Sequence, residues 1–168
     1  IHGYVTVPPG RMMADKRPIP FVVLPHGGPS TRDILGFDYL AQMIASRGYG
    51  VLQPNYRGSR GYGGDFEKAG FAQWGLKMQD DKDDGAKWLV AQGIAAPDRI
   101  AMHGYSYGGF SAMAAAVRPN GIYQCSVAGA GVASIEKFRE IVNQSRILRE
   151  LQRPTINGLS PFEKASEV

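Results

Sequence analysis

The chain has 168 residues, of which 43% are hydrophobic and 20% charged, and its net charge at pH 7 is +4. These values fit one ordinary globular domain and exclude a disordered or low-complexity chain. The basic residues are scattered and no apolar stretch approaches the length of a membrane span, so neither a nucleic acid nor a membrane is expected as a partner. Ile1 to Gly10 do not resemble a signal peptide, which favours the cytoplasm while leaving the compartment open.

Strand and helix patterns alternate along the first half of the chain. Strands are predicted over residues 2–7, 21–24 and 49–53, the third ending at Pro54. Between the second and third strands, Phe37, Leu40, Met43 and Ile44 recur at helical spacing and Gly48 stops the helix. A long loop rich in glycine and aromatic residues follows, from Tyr56 to about Gly75.

The second half continues the alternation. Its pattern predicts, in chain order, a helix over 79–92, a strand over 100–103, a helix over 110–117, a strand over 123–130 and a helix over 134–151. The tail from Pro154 to Val168 has little periodicity and no closing element. The whole rhythm predicts an α/β fold, with a mostly parallel sheet covered by helices on both faces.

The strongest chemical signal is Gly104-Tyr105-Ser106-Tyr107-Gly108. This G-x-S-x-G motif lies between a predicted strand and a predicted helix, which is the context of the nucleophile elbow in α/β-hydrolases. The glycines permit a sharp turn that exposes the serine at a helix N-terminus. We therefore predict that Ser106 is a catalytic nucleophile; the alternative is a plain glycine-rich turn.

A nucleophilic serine needs donors for the oxyanion of its tetrahedral intermediate. The residue after the nucleophile supplies one backbone N–H, which assigns that role to Tyr107. The second donor is expected in the loop after the strand over 21–24, at Gly27 or Gly28, and the sequence does not separate them. The alternative interpretation of this loop is a tight turn that needs glycine and proline.

The expected base and acid are missing from the sequence pattern. An α/β-hydrolase triad runs nucleophile, acid, base along the chain, but no histidine and no aspartate follow Ser106. His26 and His103 precede the serine, and neither is favoured as a base. His26 is expected to support the site by holding its loop through hydrogen bonds.

Two further residues, Tyr56 and Arg57, are candidates for site support. Arg57 either orients a substrate carbonyl or a carboxylate, or pins its own loop, and the structural role is favoured. The glycines from Gly58 to Gly64 match neither a P-loop nor a dinucleotide site, and the aspartates between 80 and 84 fit a solvated helix start better than a metal site. We therefore predict no cofactor and no metal.

Three segments carry a resemblance to a known family. Pro25-His26-Gly27-Gly28-Pro29, then Pro54-Asn55-Tyr56-Arg57-Gly58-Ser59-Arg60-Gly61-Tyr62-Gly63, and then Asp98-Arg99-Ile100-Ala101 with the elbow resemble motifs of the prolyl oligopeptidase family of serine peptidases. Their order and spacing are similar to those of its acylaminoacyl-peptidase and dipeptidyl-aminopeptidase branch. The resemblance covers nearly the whole chain.

The resemblance implies a fold and an activity. Such proteins have an N-terminal β-propeller and a C-terminal α/β-hydrolase domain, and residues 1–168 are expected to form a single, C-terminally incomplete part of the hydrolase domain, without propeller blades. The implied reaction is acyl transfer from a peptide or acyl-ester substrate to Ser106, followed by hydrolysis. Because two triad members have no position in this sequence, the chain alone is expected to be weakly active or inactive.

Two alternatives remain open at this stage. The chain could be a non-catalytic hydrolase fragment that forms a homo-oligomer through its incomplete sheet, because an unpaired strand edge invites association. It could also be a weak esterase, since activated esters need less catalytic help than amides.

Overall fold

The computed structural model describes residues 1–15, 17–119, 121–152 and 154–167. Its strands are β1 (His2–Thr6), β2 (Ile19–Val23), β3 (Gly50–Asn55), β4 (Ala95–Tyr105) and β5 (Cys125–Gly129). Its helices are α1 (Tyr39–Ala45), α2 (Gly64–Lys68), α3 (Lys77–Ala91), α4 (Tyr107–Val117), α5 (Ile135–Gln144), α6 (Arg146–Gln152) and α7 (Pro161–Lys164), followed by a 3₁₀ turn at Ala165–Glu167.

The strands form one five-stranded sheet in the order β1-β3-β2-β4-β5. The pairs β3–β2, β2–β4 and β4–β5 are parallel, and β1 is antiparallel to β3 at one edge. The mostly parallel α/β sheet predicted from the sequence is therefore confirmed.

Helices cover both faces of this sheet. Phe21 and Val23 of β2 lie on one face in a buried cluster that includes Ala86 and Leu89 of α3 and Ala112 of α4. On the opposite face, a separate cluster forms where Ala41 of α1 packs with Leu24 and Val51. The alternation of side chains along the strands explains why both faces need cover.

A second large cluster lies next to the carboxyl ends of the strands. It joins the loop after β3 to α3, α4 and α5, and its buried members include Tyr56, Trp74, Met78, Tyr107 and Phe110. These large aromatic rings make the region rigid, because buried rings form extensive apolar contacts.

Several predicted boundaries were wrong. Pro54 lies inside β3 opposite Gly3 rather than ending the strand, because β1 adds a further antiparallel ladder along it. The helix expected over 134–151 is two helices, since Ser145 has an extended backbone between α5 and α6. The loop after β3 contains α2, and the tail contains α7 and the 3₁₀ turn.

In the described part of the chain, no helix combines the length and the apolarity that crossing a membrane requires.

Candidate active site

Three loops meet at one edge of the sheet. β2, β3 and β4 run parallel as neighbours, so the segments that follow them leave from the same edge. Those segments bring His26 and Gly27, then Tyr56, and then Ser106. The carboxyl edge of parallel strands is where α/β proteins place their ligand sites.

Ser106 forms the corner between β4 and α4. Its backbone has φ 58° and ψ −118°, an unusual conformation for a residue with a side chain. The turn is held on both sides: the Ser106 N–H donates to the Gly129 carbonyl at 2.9 Å, and the Ser106 carbonyl accepts from the Phe110 N–H at 3.0 Å. Such strain persists only where the surrounding structure over-determines it, and it is typical of functional residues.

The glycines of the motif are required by close backbone packing. A Cβ on Gly104 would lie 2.5 Å from the carbonyl carbon of Gly108. A Cβ on Gly108 would lie 2.4 Å from the Pro25 carbonyl oxygen. Gly108 therefore lets the start of α4 approach the loop after β2, and this approach brings the two halves of the site together.

Gly27, rather than Gly28, is the loop residue beside the serine. A Cβ on Gly27 would lie 3.5 Å from the Ser106 Cβ and 4.0 Å from its Oγ. A Cβ on Gly28 would instead meet the Ser30 N at 2.8 Å, and Gly28 has a φ of +117°. The structure thus separates two residues that the sequence left equivalent.

Tyr107 begins α4 directly after Ser106, and its side chain is buried. Its ring lies 5.4 Å from the Tyr56 ring and 4.8 Å from the Trp74 ring, measured between centroids. Burial raises the pKa of the Tyr107 phenol above its ordinary range, so the ring is neutral at any ordinary pH. The side chain anchors the helix start while the backbone N–H stays at the elbow.

His26 is bound within its own loop and to the loop after β3. Its Nε2 is 2.8 Å from the Ser59 Oγ, its Nδ1 is 2.7 Å from the Gly27 carbonyl, and its ring stacks on Tyr56 at 4.4 Å. Burial lowers the pKa of His26 to about 4, so the imidazole is neutral near pH 7. These contacts fit the loop-holding role proposed from the sequence.

Neither His26 nor His103 is hydrogen-bonded to Ser106. His103 points to β5, with its Nδ1 3.0 Å from the Val127 carbonyl. Across the described ranges of the chain, no hydrogen bond joins the Ser106 hydroxyl to a histidine. The geometry therefore places Tyr107 and Gly27 next to Ser106, whose hydroxyl is not hydrogen-bonded to any histidine of the described residues.

Tyr56 and Arg57, in the loop after β3, hydrogen-bond to the loop after β2 and to α3, respectively. The Tyr56 hydroxyl donates to the His26 carbonyl at 2.8 Å. The Arg57 guanidinium makes two bonds to the Asp81 carboxylate, at 2.8 and 2.6 Å, and its backbone N–H donates to the same carboxylate. The hydrogen bond to Asp81 raises the pKa of Arg57, which therefore stays charged and engaged with α3 rather than free to orient a substrate.

The aspartates of α3 divide into two kinds: Asp80 and Asp84 keep exposed side chains, as the sequence suggested, whereas the other two are buried and ion-paired. Asp81 and Asp83 are buried. Asp80 and Asp83 both face Arg118, at 2.6 and 3.7 Å. Among the described residues no group of three or more histidine, cysteine, aspartate or glutamate side chains is arranged to hold a metal.

Sequence reasoning missed Lys82, which the structure buries completely beneath the site. A signal for it exists in the sequence: Met78, Lys82, Ala86 and Leu89 recur at helical spacing, and all four are buried in α3. A lysine at a core position of an amphipathic helix therefore marks an unusual environment. Ser59, the partner of His26, was also missed and has no comparable signal.

Comparisons with known proteins show the family of the chain. The profile of the prolyl oligopeptidase family matches residues 35–155. Dipeptidyl aminopeptidase BIII from Pseudoxanthomonas mexicana is 41% identical over 125 residues, which cover 74% of this chain and 18% of that protein.

Solved structures show the same α/β-hydrolase fold. A puromycin-hydrolyzing peptidase from Mycobacterium tuberculosis superposes with a TM-score of 0.80 at 31% identity, over 99% of this chain and 26% of that one. The acylaminoacyl peptidase of Pyrococcus horikoshii gives a TM-score of 0.77 at 27% identity, over 96% and 25%. The chain thus spans less than a fifth of the curated relative and about a quarter of the solved chains it matches.

Proposed function

Because the chain belongs to the prolyl oligopeptidase family, we propose that it carries the nucleophile and oxyanion hole of a serine peptidase, with Ser106 as the residue that is acylated. The observation that carries this proposal is the conformation of Ser106, which is held at φ 58° with Gly27 beside it. Strain of this kind is retained where exposure of the hydroxyl matters more than local stability.

The proposed reaction begins when the Ser106 Oγ attacks the carbonyl carbon of the scissile bond and its proton passes to solvent water, which also supplies the proton that the leaving group takes up. The carbonyl oxygen of the resulting tetrahedral intermediate accepts hydrogen bonds from the backbone N–H groups of Tyr107 and Gly27. The amine or alcohol leaves with a proton, and water then hydrolyses the acyl-enzyme. Gly27 is favoured over Gly28 because only Gly27 lies against the serine.

The protonation state of the site shapes the expected rates. Without a base hydrogen-bonded to it, a serine hydroxyl is a weak nucleophile, and loss of triad members leaves mainly oxyanion-hole and binding effects. We therefore expect the 168-residue chain to turn over amides very slowly and activated esters measurably. An ester with a good leaving group needs little proton donation to that group.

The substrate class follows from the relatives. Their names describe dipeptidyl aminopeptidases, acylaminoacyl peptidases and a puromycin-hydrolyzing peptidase, so each acts on a bond to an aminoacyl or peptidyl carbonyl. For this chain we propose an aminoacyl or peptidyl amide as the natural substrate. Acyl esters are surrogate substrates of the same site.

A second candidate function is non-catalytic self-association, and β5 supports it. Within the described residues β5 is paired only with β4, and it lies at the edge of the sheet. Val127 in this strand is 51% exposed, and Cys125 is exposed as well. An exposed, apolar strand edge is a template for pairing with another chain.

The proposal is tested by hydrolysis of p-nitrophenyl acetate and of an aminoacyl p-nitroanilide by the purified chain, Ser106→Ala and Ser46→Ala. Ser46 is a matched control, since its hydroxyl lies on the surface, where it donates to the nearby Met43 carbonyl and accepts from the Arg47 guanidinium. We expect ester hydrolysis by the wild type and by Ser46→Ala, background rates for Ser106→Ala, and anilide turnover near background in all three. Equal ester rates in all three proteins would refute the nucleophile assignment.

A further inference from the structure

Lys82 is a buried cation directly beneath the proposed oxyanion hole. It lies on α3, its side chain has no exposed surface, and it faces the aromatic cluster rather than the solvent. Among the described lysines and arginines it is the one that is fully buried. Such a position is costly for an ammonium group unless the protein supplies compensating interactions.

Two aromatic rings lie within cation–π distance of the ammonium group. The Lys82 Nζ lies 3.9 Å from the centroid of the Tyr56 ring and 5.0 Å from that of the Tyr107 ring. It also donates to the Met78 carbonyl at 2.9 Å. A desolvated cation over the face of a tyrosine is attracted by the ring quadrupole.

The carboxylates of the same helix have other partners at short range. Asp81 is bound by Arg57 at 2.6 Å, and Asp80 and Asp83 face Arg118. The close contacts of the ammonium group are therefore the two rings and the Met78 carbonyl. If either ring moved, the buried charge would lose part of its solvation.

Each of the two tyrosines positions one of the two proposed oxyanion-hole donors. Tyr107 carries the backbone N–H that follows Ser106. The Tyr56 hydroxyl donates to the His26 carbonyl at 2.8 Å, and that carbonyl belongs to the peptide bond whose N–H is Gly27. The Lys82 ammonium group thus contacts both tyrosine rings, one beside the Gly27 N–H donor and the other on the residue that carries the Tyr107 N–H donor.

We propose that Lys82 is a positioning residue for acyl transfer: its ammonium group, held between the Tyr56 and Tyr107 rings, fixes the backbone N–H groups of Gly27 and Tyr107 in the relative placement that an oxyanion needs. This inference rests on the proposed function, because the placement of those two groups matters only if Ser106 is acylated. Through Lys82, α3 contributes to the site, although none of its residues touches the substrate.

The arrangement also predicts sensitivity to pH. Desolvation lowers the pKa of Lys82 to about 7, while Asp81, Asp83 and Asp80 on its own helix raise it and Arg118 from the end of α4 lowers it further. The other groups that face it are Tyr56, Tyr107 and His26. The first two are neutral because burial raises the pKa of each phenol, and His26 is neutral because burial lowers its pKa. Asp33 also acts on Tyr56, and burial raises the pKa of Asp33 to about 6, so its change of charge comes before that of Lys82, which follows as the pH rises through about 7.

The test compares the backbone amide signals of Gly27 and Tyr107 by two-dimensional NMR in wild type, Lys82→Met and Lys82→Arg, at about pH 6 and across the range to about pH 9. Methionine keeps the length and packing of the stem without the charge, and arginine keeps the charge. We expect Lys82→Met to displace both amide signals, Lys82→Arg to restore them, and the wild-type signals to move toward the Lys82→Met positions as pH rises through about 7. The amide of Gly48, which follows α1 on the opposite face of the sheet from α3, serves as the unaffected reference.

Two results would overturn the inference: wild-type and Lys82→Met amides that coincide at low pH, or wild-type Gly27 and Tyr107 signals that stay fixed across the whole range. The measurement needs no turnover. A failure of Lys82 to position the site is therefore distinct from a failure of Ser106 to be acylated, which the ester assay reports separately.

Discussion

At the scale of single residues, Ser106 and Lys82 occupy environments that general stability would not select. Ser106 has a left-handed backbone, which costs roughly 1–3 kcal/mol for a residue with a side chain. The ammonium group of Lys82 is buried away from solvent. Both lie at the same edge of the sheet, and the cost of each is explained if the edge is an acyl-transfer site.

The cost of burying Lys82 gives a prediction about stability. The pKa of Lys82 is about 7 in the folded chain against an ordinary value of 10.5, so between these values the unfolded chain binds the additional proton. This group therefore makes folding least favourable below about pH 7, and the free energy of unfolding rises with pH from about 7 to 10.5. Replacing the ammonium group by an apolar side chain removes the penalty.

We accordingly expect Lys82→Met to be more stable than wild type by about 1–4 kcal/mol near pH 6, with a difference that shrinks toward pH 10. Urea unfolding of both proteins at several pH values measures it. Lys87→Met is the control, because Lys87 lies on the surface of the same helix. A Lys82→Met protein that is less stable at pH 6 would show that the ammonium group is well compensated.

His26 gives a second titration with a definite sign. Its pKa is lowered to about 4 from 6.5, so its contribution to stability is complete above about pH 6.5 and is lost as the pH falls toward 4. We expect the wild type to lose on the order of 3 kcal/mol over this interval from this group. In His26→Gln that part of the pH dependence should vanish in acid titrations monitored by circular dichroism; an unchanged slope would contradict the assignment.

At the scale of elements, the site is made by the approach of one loop to one helix start. The loop after β2 and the start of α4 are in backbone contact, because Gly108 has no Cβ to meet the Pro25 carbonyl. The buried aromatic cluster, which includes Tyr107 and Phe110 of α4, stabilises this contact. Substitutions in the loop should consequently separate effects on reactivity from effects on folding.

Gly27 and Gly28 supply that separation. A Cβ on Gly27 would find ordinary van der Waals distances, with the Ser106 Oγ at 4.0 Å, so Gly27→Ala should fold normally and lower the ester rate at least about tenfold by crowding the serine. A Cβ on Gly28 would meet backbone at 2.8 Å with φ +117°, so Gly28→Ala should lose about 1–3 kcal/mol of stability. Melting temperatures and ester rates of both variants decide the matter; the reverse pattern would exclude Gly27 as the residue next to the reacting atoms.

The elements also show which parts of the site could be predicted from the sequence. The elbow was predictable because its glycines, its strand and its helix are local in the chain. The choice between Gly27 and Gly28 was not, because it depends on a contact with Ser106 that only the parallel pairing of β2 and β4 creates. The same holds for the pairing of Arg57 with Asp81, which lie 24 positions apart and meet only when α3 packs beside the loop after β3.

At the scale of the whole molecule, the sheet has two different edges. β1 closes one edge with an antiparallel ladder that runs along β3 from Val51 to Asn55. β5 lies at the other edge, where its burial pattern is mostly exposed. The prediction of self-association belongs to this second edge.

We expect the purified chain to form dimers or larger oligomers in multi-angle light scattering at concentrations used for spectroscopy. Val127→Lys, which places a charge on the exposed strand, should shift the distribution toward monomer, while Ile147→Lys on exposed α6 is the control for a general gain in solubility. A wild-type chain that remains monomeric would refute this proposal without affecting the assignment of Ser106.

The most direct test of the central claim is a search for the acyl-enzyme itself. The chain is incubated with p-nitrophenyl acetate, quenched in acid and digested, and the peptide that contains residues 104–108 is examined by mass spectrometry. We expect an acetyl group on Ser106 in the wild type and in Ser46→Ala, and none on the corresponding peptide of Ser106→Ala. An unmodified Ser106 in folded protein, or acetyl groups distributed equally over surface residues in all three proteins, would contradict it.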